Sequence, residues 1–421
     1  MNLITPDEVF TGDSQRPHFS HPKPRMLFVS CNDFEQAPVN LGASSKVATL
    51  IRIFAAMGFE VHYVDSSHLS PCWSRSDCGR SIDVGGTLVT LWRPFRVPNR
   101  KVGKVLNVLL ARRFFNRIKR VDPALVWVYN GYAFEGALAQ LFMAELRTPV
   151  VLELEDLPLS RHRGWNPKPY WDQRHFRALL PAAALVTFVN QGLLEAHATQ
   201  VKRSMLLPSV LRASLARSAH KPRFVERPHL LGYFGGLDRE KGAAVLLEVL
   251  PHLPGHWQLI VTGAGELTAE FSEAAARFPG RLAFHGTVAQ AKLHELMQSC
   301  DVIVNPHHSI EAMHNGVFPF KVCEAIAAGA LLVSTPVPSI GENMDRAVLF
   351  FDGSAAQLLA CLDQAAEFQA ANGVAIEALR MRVLAQYSED AIRGRLSVML
   401  EDVFSSLAPP RLAAQHAVQG S

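Results

Sequence analysis

Short apolar runs alternate with segments of helical spacing along most of the chain. MLFVS at 26–30 reads as a buried strand, followed by a loop, a helix over 44–57 and a second strand, FEVHYV at 59–64. A hairpin is expected to turn at Gly85 and Gly86, a helix to run over 101–120, and ALVWVY at 124–129 to return as a strand. A helix near 134–146, VVLEL at 150–154, LVTFV at 185–189 and SMLLP at 204–208 continue the alternation. After residue 228 the pattern starts again, with strands at 229–234, 257–263, 281–286, 301–306 and 330–335. Helices are expected between them over 242–252, 267–277, 289–299 and 319–328, and three more close the chain near 355–370, 375–386 and 388–405.

Strands that alternate with helices through short connections form parallel sheets covered on both faces. The alternation runs twice and is interrupted at 212–228, where RASLARSAHKPRFVERP loses its apolar pattern. The expected fold is therefore α/β: two Rossmann-like, doubly wound domains facing each other across a cleft, with the last helices crossing back to the first. The boundaries expected are a flexible segment 1–24, a first domain 25–211, a linker 212–228, a second domain 229–387, a returning helix 388–407 and a flexible tail 408–421. Open α/β sheets bind ligands at the carboxyl ends of their strands, so the site should lie between the domains.

Composition narrows the class. Of 421 residues, 48% are hydrophobic and 19% charged, which excludes a disordered chain and allows two cores. No run approaches the roughly 20 apolar residues of a membrane span. The polar, Pro-rich start does not read as a signal peptide, so the cytoplasm is expected. The six cysteines show no CxxC spacing and read as reduced thiols; Cys72 and Cys78, the one close pair, read as a chance pairing of surface residues. Net charge is only +4, but residues 93–120 carry ten Lys and Arg without a carboxylate, interleaved with Val102, Leu109, Phe114 and Phe115. Such a segment either lies on an anionic membrane surface, peripheral to its inner face, or is a solvated helix packed on its own sheet. Without a recognisable nucleic-acid module, nucleic acid is not expected as a partner.

The strongest chemical signal is FPFKVCEAIAAGALLVST at 318–335. Pro319 suits the first turn of a helix and Gly329 its end. A diphosphate could sit at the helix start before Val317 and Phe318, with Lys321 beside it. Glu324, one turn further, offers two oxygens to the hydroxyls of a ribose. The bland alternative is a surface ion pair between Lys321 and Glu324. LGYFGGLDREKG at 231–242 adds Gly235 and Gly236, which let a ligand approach the backbone, and Arg239 and Lys241, which can neutralise phosphate or stay solvated. Gly263 and Gly265 form a GxG at a strand end, more often simply a turn. In the first half the loop PVNLGASS has only Gly42, so Asp65 after the second strand does not make a dinucleotide-binding fingerprint. Asn130 ends one strand and can hydrogen-bond a sugar hydroxyl. Glu153, Glu155 and Asp156 end the next and could place or deprotonate an acceptor hydroxyl, or equally cap a helix or pair with Arg161.

In this order and spacing the segments resemble nucleotide-sugar glycosyltransferases of the GT-B fold, in particular glycosyltransferase family 4, most clearly over 229–352 and through HGTVAQAKLHELMQSCDVIVNP at 285–306. The resemblance implies transfer from a nucleotide diphosphate sugar to a glycan or lipid-linked acceptor in surface or extracellular polysaccharide synthesis. It further implies retention of configuration, no cofactor or metal, the donor on the second domain and the acceptor on the first. By position Lys241 matches the family's lysine at the diphosphate, and Glu324 the second glutamate of its paired motif. Gly236 stands where an arginine is usual, so Arg239 or Lys321 would supply that charge. Gly316 stands where the first glutamate is expected, as in a Pro-x-Lys-x-x-Glu variant, with Glu311, His314 and Asn315 as substitutes for the sugar contact. Asn130 occupies the place of a frequent histidine. A nucleotide-sugar epimerase of the same fold, or a non-catalytic nucleotide-sugar-binding module, are the alternatives.

Overall fold

In the computed structural model, which describes residues 23–35, 42–67, 78–155, 157, 168–208, 210–216, 224, 227–307, 320–337 and 344–407, the apolar runs of the first half form one sheet. Its strands in chain order are β1 (Arg25–Ser30), β2 (Glu60–Asp65), β3 (Cys78–Val84), β4 (Thr87–Trp92), β5 (Leu125–Tyr129), β6 (Val150–Leu154), β7 (Leu185–Phe188) and β8 (Ser204–Leu206). Their spatial order is β3-β4-β2-β1-β5-β6-β7-β8. All neighbours are parallel except the β3–β4 hairpin. Gly85 and Gly86 turn that hairpin with φ of 58° and 88°, the left-handed geometry that tight hairpin turns need. The central strands β5 and β6 are buried at every residue, as a sheet covered on both faces requires.

The second half forms a six-stranded sheet from β9 (His229–Phe234), β10 (Trp257–Thr262), β11 (Leu282–Phe284), β12 (Val302–Asn305), β13 (Leu331–Ser334) and β14 (Val348–Phe350). The order β11-β10-β9-β12-β13-β14 is parallel throughout. Its chain order reverses between β9 and β12, the kind of switch point at which a crevice opens at the carboxyl ends.

The first domain's helix over Gly42–Ala56 and the second domain's helices over Thr268–Arg277, Gln290–Ser299 and Phe320–Ala327 match the sequence pattern closely. Four features differ. The basic segment breaks at Leu110 into two helices, Arg100–Leu109 and Ala111–Ile118, and the second sinks Phe114, Phe115 and Ile118 into the core. A helix over Lys168–Ala182, unexpected because it carries Pro169 and Pro181, packs against the one over Ala133–Leu146. The linker contains a short helix, Ala213–Ala216. The two segments expected near 355–370 and 375–386 are one helix, Ala355–Tyr387, so Gly373 does not interrupt it.

That long helix packs on the second sheet, and Glu389–Leu407 then returns to the first. The return is pinned by Arg52 to Glu389, by Arg203 to Asp402, and by Arg395 Nη2 donating to the Leu206 carbonyl at 2.7 Å. No helix among the described residues is long and apolar enough to cross a membrane.

Two glycines give opposite stability predictions. Gly242 has φ of 73°, and a Cβ there would lie 1.7 Å from the Pro306 carbonyl oxygen, so Gly242→Ala should cost roughly 2 kcal/mol or more. A Cβ on Gly373 meets nothing within 4 Å inside its helix, so Gly373→Ala should gain about 0.5–1 kcal/mol. Urea unfolding of the two variants checks both signs.

Candidate active site

The loop after β9 is held in shape before any functional side chain is placed. Tyr233 Oη donates to the Gly236 carbonyl at 2.5 Å, and Leu237 N donates to the Ala264 carbonyl at 3.0 Å. Gly263 and Gly265 make this approach possible. A Cβ on Gly263 would come within 1.8 Å of the Gly235 carbonyl oxygen, and one on Gly265 within 2.6 Å of the Leu237 carbonyl carbon. Their role in the structure is to let two loops meet. Gly242 then brings Lys241 against the end of β12, where its Nζ lies 3.4 Å from Nε2 of the buried His307.

Lys321, in the first turn of Phe320–Ala327, reaches back over the same loop. Its Nζ sits 4.6 Å from the centre of the Tyr233 ring, and its stem lies along Gly235, where a Cβ would be in ordinary van der Waals contact with Lys321 Cδ at 3.6 Å. Burial, and secondarily the charge of Lys241, drives the Lys321 amine down to about 7. Neither lysine has a carboxylate within ion-pair distance among the described residues. Arg239 points elsewhere. It is mostly exposed and lies 4.0 Å from each of Glu266 and Glu270, on the outer side of the loop.

Glu324 does not pair with Lys321, although the two are three residues apart on one helix. The surface ion pair is thereby set aside. Glu324 is half-buried, and burial pushes its carboxyl up to about 7 against the opposing pull of Arg212. Glu311, Asn315, Gly316, Val317, Phe318 and His314 lie outside the described residues, as does Asp156.

At the carboxyl ends of the first sheet the acidic cluster is engaged by a lysine that the sequence pattern did not single out. Lys46, buried in the helix that Gly42 begins, pairs with Glu153 at 2.9 Å and with Glu155, and donates to the Leu207 carbonyl at 2.7 Å. Trp127 Nε1 holds the other oxygen of Glu153 at 2.7 Å. Desolvation alone would lower the Lys46 amine, but the two carboxylates outweigh it and raise it. Asn130 adopts a left-handed φ of 53°, and its Oδ1 accepts from Glu155 N at 2.9 Å. Asn130 and Glu155 are thus brought together, each held by the protein. Asp65 is committed as well. Arg93 Nε donates to it at 2.6 Å, and the same guanidinium reaches Asp33 at 2.7 Å and Glu35, so this first arginine of the basic segment is an interior clamp.

Lys46, Arg93, Arg212 and His307 are the site-edge residues missed from sequence. Lys46 left one signal, a charge amid the apolar face of its helix, next to the buried Val47, Leu50 and Ile51.

The two central groups respond to pH in opposite ways. With a folded value of about 7 against 4.5, Glu324 binds a proton that the unfolded chain has lost, so its contribution to stability falls as pH rises from 4.5 through 7. Lys321, lowered from 10.5 to about 7, costs most when charged, so its contribution rises with pH between 7 and 10.5. Glu324→Gln should therefore stabilise the free protein at pH 8 by on the order of 1 kcal/mol after discounting for partial exposure, and by nearly nothing at pH 5. Thermal melts of both proteins across that range check the sign.

Comparison with known proteins places this geometry. The family described as Glycosyl transferases group 1 matches residues 228–368. No curated protein matches by sequence. Among solved structures the chain is similar to a sucrose-phosphate synthase from Thermosynechococcus elongatus, with TM-score 0.68 and 16% identity over 91% of this chain and 100% of the other. It is also similar to an α,α-trehalose 6-phosphate synthase from Burkholderia multivorans, with TM-score 0.63 and 12% identity over 92% and 100%. Anabaena HepE, solved in complex with UDP-glucose, aligns with TM-score 0.60 and 15% identity over 90% and 100%. The chain has the GT-B fold, and the match to the glycosyl transferases group 1 model spans its second sheet.

Proposed function

We propose that the chain transfers a sugar from a nucleotide diphosphate sugar, held by the second domain, to a glycan or lipid-linked acceptor held by the first. One observation carries this reading: Lys241 and Lys321 both lie against the Gly235–Gly236 turn at the carboxyl end of β9 without a carboxylate partner among the described residues, and Glu324 pairs with neither. A diphosphate between the lysines would restore the Lys321 proton and neutralise both charges. As the bond to the sugar breaks, negative charge grows on that diphosphate, and fixed cations stabilise it more in the transition state than in the ground state. Glu324 accepts hydrogen bonds from the two ribose hydroxyls. Pro319, Lys321 and Glu324 constitute a Pro-x-Lys-x-x-Glu motif, and the proposed family is glycosyltransferase family 4.

On the acceptor side, Lys46 pairs with Glu155 and holds it beside Asn130, which suits a carboxylate that orients an acceptor hydroxyl. Retention of configuration is suggested by one fold neighbour, a trehalose-6-phosphate synthase studied as a glycosyltransfer with retention, while transfer without a metal rests on the family resemblance alone. The UDP and UDP-glucose complexes of HepE make uridine nucleotides the first donors to test. For a peripheral membrane role the exposed residues are Val102, Leu109, Arg112, Arg113 and Arg117, since Phe114 and Phe115 are core. A polysaccharide acceptor rests on family resemblance and on this basic face.

A panel of UDP, GDP and ADP sugars should raise the melting temperature selectively, because a ligand that binds only the native state stabilises it. With the sugar so identified, Lys241→Ala should lower turnover by roughly 10²–10³-fold while the melting temperature stays within about 2 °C of the parent. Unchanged turnover would remove Lys241 from the mechanism. Donor consumption that releases free sugar without any acceptor would point to an epimerase instead, and binding without turnover to a non-catalytic module.

A further inference from the structure

β9 is buried over its last four residues, and one of them is a tyrosine. Tyr233 is fully buried. A phenylalanine would fill the same space without a polar atom to satisfy, so the hydroxyl here has to find a partner inside the protein. It finds the Gly236 carbonyl at 2.5 Å, which ties the glycine turn to the strand it leaves and fixes the tilt of the ring.

The face of that ring carries a cation. Lys321 Nζ stands over it, 4.6 Å from the centre, within reach of a cation–π attraction. Gly235 lies at the junction of the two. A Cβ there would be 3.7 Å from Tyr233 Oη, 3.6 Å from Lys321 Cδ and 3.9 Å from Lys321 Nζ, all ordinary contact distances. Phenol, turn backbone and lysine stem therefore pack at one point, although they come from β9, the loop after it and the first turn of Phe320–Ala327. A lysine brings a point charge on a flexible four-carbon stem, and fixing such a stem only when a ligand arrives weakens binding. A ring that already holds the amine removes part of that cost, and it favours the charged form that burial opposes.

We propose that Tyr233 is a positioning residue for the donor diphosphate: its hydroxyl, anchored on Gly236, fixes the ring, and the ring holds the Lys321 amine over the glycine turn. This rests on Lys321 contacting the diphosphate, as proposed above. The groups around the amine are accounted for. Across the turn Lys241 repels it and lies 3.4 Å from His307, and Asp238 accepts from Glu266 N at 3.2 Å. The Tyr233 phenol and the Cys323 thiol are both raised by burial and stay neutral. From the Ala355–Tyr387 helix Arg380 is bonded to the Ala327 carbonyl and Glu377, and from the linker Arg212 donates to Ser45 Oγ at 3.2 Å. Glu324, on the same helix, titrates near 7 as well, so rings are compared at fixed pH, where its contribution is common to all.

The test changes the ring's electrons and keeps its size. On the full chain, Tyr233→Phe and the same substitution with mono- and trifluorinated phenylalanine withdraw electron density from the ring face in steps. The Lys321 amine is followed by NMR titration, and affinity for UDP, GDP and ADP by calorimetry at pH 6 and pH 8. In Tyr233→Phe the amine should titrate as in the parent, and affinity should fall by no more than about fivefold at either pH. Along the fluorinated series the amine should titrate progressively lower, by about one pH unit at the trifluorinated ring. Relative to Tyr233→Phe, affinity should then drop about tenfold at pH 8, where the nucleotide has to restore the proton, and about twofold at pH 6, where the amine is already half charged or more. In a Lys321→Ala background fluorination should change nothing. An amine and an affinity that ignore fluorination, or a fluorine effect of the same size in the Lys321→Ala background, would assign Tyr233 to packing alone and overturn the inference while leaving the Lys321 reading intact. If Lys321→Ala binds as tightly as the parent, or the parent binds none of the three nucleotides, the Lys321 reading fails and this one with it.

Discussion

Two lysine amines brought to one loop without a carboxylate partner among the described residues are the constraint on which the rest depends. Lys241 and Lys321 come from separate elements, and nothing in helix or strand formation requires them to meet. They meet because the β9 loop is braced by Gly263 and Gly265 and swung against Pro306 by Gly242. Burial, and secondarily the charge of Lys241, lowers the Lys321 amine. Such an arrangement is unfavourable for the isolated protein and favourable only toward an anion, as expected of a functional site that departs from optimal stability.

The first domain shows the contrasting solution. Its buried charges are satisfied internally: Lys46 by two carboxylates and a carbonyl, Arg93 by Asp33, Glu35 and Asp65. Removing one member of such a cluster strands the others, so these groups fix the positions of the β1, β2, β4 and β6 ends. That rigidity serves the proposed acceptor side by holding Asn130 and Glu155 in one place. Between these two halves runs the crossover at Leu211 and Ser388, from which Arg212 reaches Ser45 and Glu389 reaches Arg52 in the first domain.

Most of the fold was legible because it follows from period and run length. A fully buried parallel strand reads as an uninterrupted apolar run, and β1, β5, β6 and β9 to β13 announce themselves so. The helix over Lys168–Ala182 was hidden by its two prolines, which read as punctuation although one lies in the first turn. Gly373 gave the opposite error, since a lone glycine in a long helix costs too little to break it. In the site, Lys241, Lys321 and Glu324 were legible through the glycine turn and the Pro319 helix start. Arg239 was not separable from Lys241 by sequence, because which side of a loop a cation takes depends on Glu266 and Glu270 across it. Lys46, Arg93 and Arg212 acquire meaning only from partners far along the chain, which no local pattern encodes.

The most direct measurement is an NMR titration of the Lys321 amine, with Lys321→Arg as the assignment control, in the free protein and with saturating UDP. The account predicts a value of about 7 in the free protein and a rise of about two units or more when the diphosphate is bound. An ordinary lysine value in both states, or a depressed value that a bound nucleotide leaves unmoved, would contradict it.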